Sequence, residues 1–113
     1  MKKIDLEKQL EKYLNDKLAA IGIVSVKLNP LGKKGIPDRL VFGDNIYYVE
    51  LKLGKESGSY YKETISQSNW GKQIKQSNGY YILLEGKSEV EKFIEKMREA
   101  RSHMFEYKRY ITN

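Results

Sequence analysis

The middle of the chain contains two apolar runs separated by a short turn. Residues 36–42 and 46–53 are rich in β-branched and aromatic side chains, and the Gly-Asp-Asn sequence of residues 43–45 is typical of a hairpin turn. We therefore predict two antiparallel strands. Because side chains alternate between the two faces of a strand, Glu50 and Lys52 lie on the same face of the second one.

The length of the turn decides whether Asp38 lies on that same face. If the turn has three residues, Phe42 pairs with Ile46 and Asp38 lies opposite Glu50. A two-residue turn would pair Asp38 with Leu51 and place the two acids on opposite faces, because a one-residue slip flips every side chain. In the three-residue register the Cβ atoms of the two acids are expected about 4.5–5.5 Å apart.

Two carboxylates this close repel each other unless a cation lies between them. Oxygen ligands favour a hard divalent ion, so Mg²⁺ or Mn²⁺ is the expected cofactor. Such an ion can coordinate a phosphate oxygen and activate water, while Lys52 orients that water or offsets charge on phosphorus. The set thus indicates phosphodiester hydrolysis. The alternative is that Asp38 is a turn residue and that Glu50 and Lys52 form a solvated ion pair.

The composition indicates one basic domain spanning residues 1–113. The 21 Lys and Arg residues exceed the 15 Asp and Glu residues, which gives a net charge of +6 and a pI near 9.4. This charge suits a nucleic acid partner, although it can also serve solubility alone. The absence of cysteine excludes disulfides, thiolate metal ligands and cysteine nucleophiles. No segment has the ~20 apolar residues that span a bilayer, so we expect a soluble intracellular protein without membrane contact.

The remaining patterns predict an α/β fold with the element order αβββαβα. Before the hairpin we predict a helix over residues 5–21, a strand over 23–28 and a basic loop over 29–35. After it we predict a polar connection over 54–66, a helix over 67–78 and a strand over 80–84. A Ser88–Glu91 capping box is expected to begin the last helix, and residues 104–113 can add a strand or pack as an arm. This order predicts a mixed central sheet flanked by helices.

The first helix carries a further candidate ligand. Glu7 lies within the arc of the apolar residues of this helix, and Glu11 lies at its edge. A carboxylate in an apolar stripe is costly unless a charged partner meets it, so Glu7 is a candidate third metal ligand and Glu11 its alternative. Equally, an acid in the first turn can simply favour the helix dipole.

These residues together resemble a known nuclease family. The pattern consists of a helical glutamate, a Gly-x-Pro-Asp-Arg segment, a Val-Glu-x-Lys segment and a glutamine that opens the next helix. In this chain the corresponding positions are Glu7, Gly35-Ile36-Pro37-Asp38-Arg39, Val49-Glu50-Leu51-Lys52 and Gln67. The chain resembles the virus-type replication-repair nuclease (VRR-NUC) domain, within the restriction-endonuclease-like superfamily, whose core has the order αβββαβ. One departure is the connection over residues 54–66, which is longer than is usual in the family.

The resemblance implies a fold, a metal site and a substrate. It implies a metal held by Asp38, Glu50, the backbone carbonyl of Leu51 and Glu7, with Lys52 acting in catalysis and Gln67 supporting the site. It also implies a magnesium-dependent endonuclease that works as a homodimer on DNA, including branched DNA such as four-way junctions. A phage-encoded protein and a role in DNA repair are the corresponding biological expectations.

Several basic and aromatic residues near the site are candidate DNA contacts. We predict contacts with backbone phosphates from four of them, namely Lys33, Lys34, Arg39 and Lys55. Tyr60 and Tyr61 can stack on bases, but packing or dimer contacts are the more common use of such tyrosines.

Two other functions compete with a structure-selective endonuclease. A non-catalytic nucleic-acid-binding module would account for the charge but not for carboxylates beside phosphate. A sequence-specific restriction enzyme is disfavoured because 113 residues leave little room for base-reading elements.

Overall fold

In the part of the chain that the structure describes, three helices and four strands follow the predicted order αβββαβα. This computed structural model describes the backbone of residues 3–28, 35–54 and 65–111, and the side chains of residues 7–28, 35–54 and 67–102. The helices are α1 (Lys3–Ala20), α2 (Ile65–Gln76) and α3 (Gly86–Ile111). The strands are β1 (Val24–Lys27), β2 (Arg39–Phe42), β3 (Ile46–Lys52) and β4 (Tyr80–Glu85).

The four strands form one mixed sheet in the order β1-β2-β3-β4. The first three strands are antiparallel neighbours, and β4 runs parallel to β3. A parallel pair needs a crossover connection, and α2 lies in the crossover between β3 and β4. The mixed sheet flanked by helices is therefore confirmed.

The hairpin between β2 and β3 has the three-residue turn. Phe42 pairs with Ile46, and Arg39 pairs with Val49. The turn is closed by a hydrogen bond of 3.0 Å from the Gly43 amide to the Asn45 carbonyl. This register confirms the alternative that brings Asp38 to the level of Glu50.

One face of the sheet carries the main hydrophobic core. Alternate residues of β2 and β3, such as Val41 and Val49, are fully buried there. They belong to one cluster with apolar residues of α1 and α3; its helical members are Leu10, Leu14, Leu18, Val90, Phe93, Ile94 and Met97. Helix α3 also contacts α1 and the turn after it, because the Tyr13 hydroxyl donates to Glu91 at 3.0 Å and Arg101 donates to the Ile21 carbonyl at 3.2 Å.

The predicted starts of β2 and α3 are wrong, each for a local reason. Strand β2 begins at Arg39 rather than at residue 36, because Pro37 has no amide to donate and the Asp38 side chain instead binds the β3 backbone. Helix α3 begins at Gly86, ahead of the expected Ser88–Glu91 box. There the Glu85 amide donates to the Glu89 carboxylate at 2.7 Å, so Glu89 rather than Glu91 accepts a backbone amide at the N-terminus of the helix.

The C-terminal segment continues the last helix. Residues 104–111 extend α3 to Ile111 rather than forming a strand or a separate arm. Within the described residues, no helix combines the length and the apolar character needed to cross a membrane.

Two glycines in and after α2 offer a matched test of the packing. A Cβ atom on Gly79 would lie 2.7 Å from Cγ2 and 2.9 Å from the carbonyl oxygen of Ile74, whereas on Gly71 it would meet the Tyr81 ring at an ordinary 3.4 Å. We expect Gly79→Ala to lower the free energy of unfolding by about 1–3 kcal/mol, because the clash forces backbone to move. Gly71→Ala should be neutral or stabilising by up to ~1 kcal/mol through helix propensity. Urea denaturation of both variants measures this difference, and equal destabilisation would contradict the packing described.

Candidate active site

The centre of the candidate site is the pair of carboxylates Asp38 and Glu50. Because Arg39 pairs with Val49, the residues next to them, Asp38 and Glu50, lie at the same level of the hairpin. The Asp38 Oδ2 atom accepts a hydrogen bond of 2.7 Å from the backbone amide of Leu51, which fixes Asp38 against β3. Only 4% of the surface of Glu50 is exposed to solvent, so this acid is buried.

Two further side chains meet the buried carboxylate. The Gln67 amide nitrogen donates to Glu50 Oε2 at 3.2 Å, and the Lys52 ammonium lies 3.5 Å from the same oxygen. Gln67 reaches the site because α2 begins beside the sheet, and the residue is itself buried. The structure therefore brings together Asp38, Glu50, Lys52 and Gln67.

Burial and nearby carboxylate charges raise the pKa of both acids. Burial, followed by the nearby charge of Asp38, raises the pKa of Glu50 from its ordinary 4.5 to about 7, although Lys52 acts in the opposite direction. Burial also raises the pKa of Asp38, and the hydrogen bond from the Leu51 amide opposes this rise. Without a compensating cation, the pair is thus costly to ionise fully.

The two candidate glutamates of α1 have different roles. Glu11 forms an ion pair of 2.7 Å with Arg39, so its carboxylate is already engaged. The charges of Glu11 and Glu7 both raise the pKa of Asp38, and that of Glu7 also raises the pKa of Glu50. Among the side chains that the structure describes, however, no three acidic or histidine groups converge closely enough to hold an ion. Glu7 therefore neighbours the pair without completing a three-carboxylate cluster.

Arg39 is buried, whereas a residue that contacts DNA phosphates must lie at the surface. Only 8% of this residue is exposed, and its guanidinium binds groups of α1 and β1. Strand alternation accounts for this location, because the residue after Asp38 must point to the opposite face of the sheet, where α1 packs. The predicted phosphate contact of Arg39 is therefore wrong, and strand alternation is the sequence signal that identifies its buried location.

The other predicted DNA contacts lie outside the described residues. These are Lys33, Lys34 and Lys55, together with the tyrosines Tyr60 and Tyr61. Two residues that the sequence interpretation missed are Asn15 and Ser25, which bind the Arg39 guanidinium.

The donor set of the pair suits a divalent cation. Asp38 and Glu50 supply carboxylate oxygens, the ligand type that Mg²⁺ and Mn²⁺ prefer. Burial is the main cause of their raised pKa values, and nearby carboxylate charges add to it; a cation between the two acids would offset both effects. The Leu51 carbonyl stays a predicted ligand on the strength of the family resemblance alone.

The raised pKa of Glu50 makes stability depend on pH when no divalent ion is present. The native state keeps the Glu50 proton up to about pH 7, whereas the unfolded chain releases it near 4.5. The native state therefore binds more protons in this window, and stability should fall as pH rises through it, by on the order of 1–3 kcal/mol.

We expect Glu50→Gln to lose that pH dependence, since the amide cannot ionise. Urea denaturation in EDTA at a series of pH values measures it. Identical pH profiles for the wild type and Glu50→Gln would contradict this assignment.

Comparison with known proteins agrees with the fold and with the pattern of residues. The chain matches no family model and no curated protein. Among solved structures it is similar to a chain described as a VRR_NUC domain, with 25% sequence identity and a TM-score of 0.67. The match covers 80% of this chain and 95% of that one. The similarity and the arrangement around Asp38 and Glu50 support one conclusion: the chain is a VRR-NUC-like domain with a restriction-endonuclease-like α/β fold.

Proposed function

We propose that the chain is a metal-dependent nuclease that hydrolyses phosphodiester bonds in DNA. The observation that carries this proposal is the convergence of Asp38, Glu50 and Lys52 at one end of the β2–β3 hairpin. Burying two interacting acids costs stability, and a binding-only module gains nothing from carboxylates beside phosphate. The similarity to a VRR_NUC domain and the net charge of +6 support the same function.

Asp38 and Glu50 would hold the divalent ion, with the Leu51 carbonyl as a further ligand and the neighbouring Glu7 carboxylate of α1 as a third acid. When bound, a divalent cation supplies positive charge that polarises the scissile phosphate and helps to activate water. Glu50 must ionise to bind it, and the amide of Gln67 keeps the carboxylate oriented through its 3.2 Å hydrogen bond. Because Glu50 is buried, few water molecules compete with its carboxylate for the ion.

Lys52 has the catalytic role in this proposal. Its ammonium lies 3.5 Å from Glu50 Oε2 and is 27% exposed, so it lies at the boundary between the buried acids and solvent. A cation there can offset negative charge that develops on the phosphate in the transition state, or orient the attacking water. Both roles require a positive charge at this position.

Catalysis should therefore depend on Lys52 and Asp38 in different ways. We expect Lys52→Ala to lower kcat by about 10²-fold or more while DNA binding is retained, because the lost charge acts mainly in the transition state. Asp38→Asn should in addition weaken Mg²⁺ binding. Cleavage of plasmid DNA in Mg²⁺, Mn²⁺ or EDTA, together with a binding assay, measures both effects.

The matched control is Lys12→Ala, which removes one exposed positive charge on α1. It should cleave within about twofold of the wild type, because surface pairs contribute little. Salt-sensitive DNA binding without cleavage by the wild type in any metal would instead identify a non-catalytic module.

The preferred substrate is proposed to be branched DNA, cleaved by a homodimer. Both features come from the resemblance to the VRR-NUC family. We expect faster cleavage of four-way junctions than of flapped or linear duplexes of the same sequence, and sedimentation of the free protein as a dimer. Equal rates on all three substrates would contradict structure selectivity, and cleavage confined to one duplex sequence would indicate a restriction enzyme.

A further inference from the structure

Arg39 forms a buried connection between three elements of the fold. Its Nη1 atom donates to Glu11 of α1 at 2.7 Å, and its Nη2 atom donates to Asn15 of the same helix at 3.1 Å. Its Nε atom donates to the Ser25 hydroxyl of β1 at 2.7 Å, and Nη2 also donates to the Ser25 carbonyl at 3.2 Å. The guanidinium therefore joins α1, β1 and its own strand β2.

The geometry of this connection requires an arginine. The planar guanidinium donates in several fixed directions at once, whereas a lysine ammonium is a point charge on a flexible stem. Because Arg39 is 8% exposed, losing any partner would leave a buried charge or donor unsatisfied. Lys27 also approaches Glu11, but only at 4.0 Å and from an exposed position. Arg39 is thus the principal partner of the Glu11 carboxylate.

Two elements link the Arg39 guanidinium to the proposed metal site, namely the backbone of β2 and helix α1. Arg39 follows Asp38 directly, so the backbone that holds the guanidinium also holds the acid. On α1, Glu7 lies one turn before Glu11, and residues four apart share one face of a helix. The hydrogen bonds of Arg39 hold Glu11 and Asn15 against β1 and β2. They therefore also determine the position of Glu7, at the start of α1, relative to Asp38 and Glu50.

We propose that Arg39 is a positioning residue for the metal-binding acids, acting through helix α1 on Glu7. This inference rests on the proposed function, because it assigns Arg39 to the site that holds the divalent ion. It replaces the predicted phosphate contact, and it assigns the residue no contact with DNA. The arginine sets the distance between the α1 carboxylate and the Asp38–Glu50 pair.

The test is the affinity for Mn²⁺ alone, measured by isothermal titration calorimetry on the full chain. Arg39→Lys keeps the charge beside Glu11 but loses the fork of hydrogen bonds. We expect it to weaken Mn²⁺ binding by about tenfold, the lower end of what losing a residue that orients metal ligands costs. Excess metal should restore most of the cleavage rate.

A double-mutant cycle separates positioning from general stability. In a Glu7→Gln background, Arg39→Lys should weaken Mn²⁺ binding by less than about twofold, because the group through which it acts is gone. The structural control is Val90→Ala, which creates a cavity in the core of α3. It should lower the unfolding midpoint without changing Mn²⁺ affinity.

Several outcomes would overturn the inference. Unchanged Mn²⁺ affinity in Arg39→Lys, or equal losses in the wild-type and Glu7→Gln backgrounds, would show a purely structural arginine. If Arg39→Lys does not fold, Asn15→Ala removes one partner and should still weaken Mn²⁺ binding by about twofold or more; an unchanged affinity there would likewise overturn the inference. A wild type that binds no Mn²⁺ would instead reject the proposed function itself.

Discussion

The register of the β2–β3 hairpin is the constraint on which the site depends. The three-residue turn pairs Phe42 with Ile46, and this pairing sets Asp38 level with Glu50. A slip of one residue would move Glu50 and Lys52 into the face packed by α1 and α3, and would move the apolar side chains of β3 out of the core. The same alternation that builds the core therefore builds the acidic pair, and neither can change alone.

Charge burial explains why so many polar groups surround this hairpin. Glu50 is almost fully enclosed, and its raised pKa records the cost of ionising it there. Gln67 and Lys52 reduce that cost from one side, while the Leu51 amide stabilises Asp38 from the other. Keeping two acids close together in a buried position lowers the stability of the fold. Such a loss of stability is common at sites that bind a charged ligand.

The sequence predicts most of this arrangement, because strand alternation and turn length are local properties. Glu50 and Lys52 follow from alternation alone, and Asp38 follows once the turn is known. The roles of Glu7 and Glu11 could not be separated, since the choice depends on which of them meets Arg39 across the helix–sheet contact. Gln67 required the family resemblance, because its contact with Glu50 spans a long connection whose length no local pattern fixes. The predicted start of α3 is wrong because Glu89, rather than Glu91, accepts the backbone amide at the beginning of the helix.

The most direct measurement of the central claim is anomalous diffraction from a crystal of the protein grown with Mn²⁺. A manganese peak is expected between the carboxylates of Asp38 and Glu50, at about 2.0–2.2 Å from an oxygen of each. Lys52 should remain beside Glu50 without touching the ion. Absence of a peak at saturating Mn²⁺, or a peak bound only by other acids, would contradict the claim that the hairpin register builds a divalent metal site.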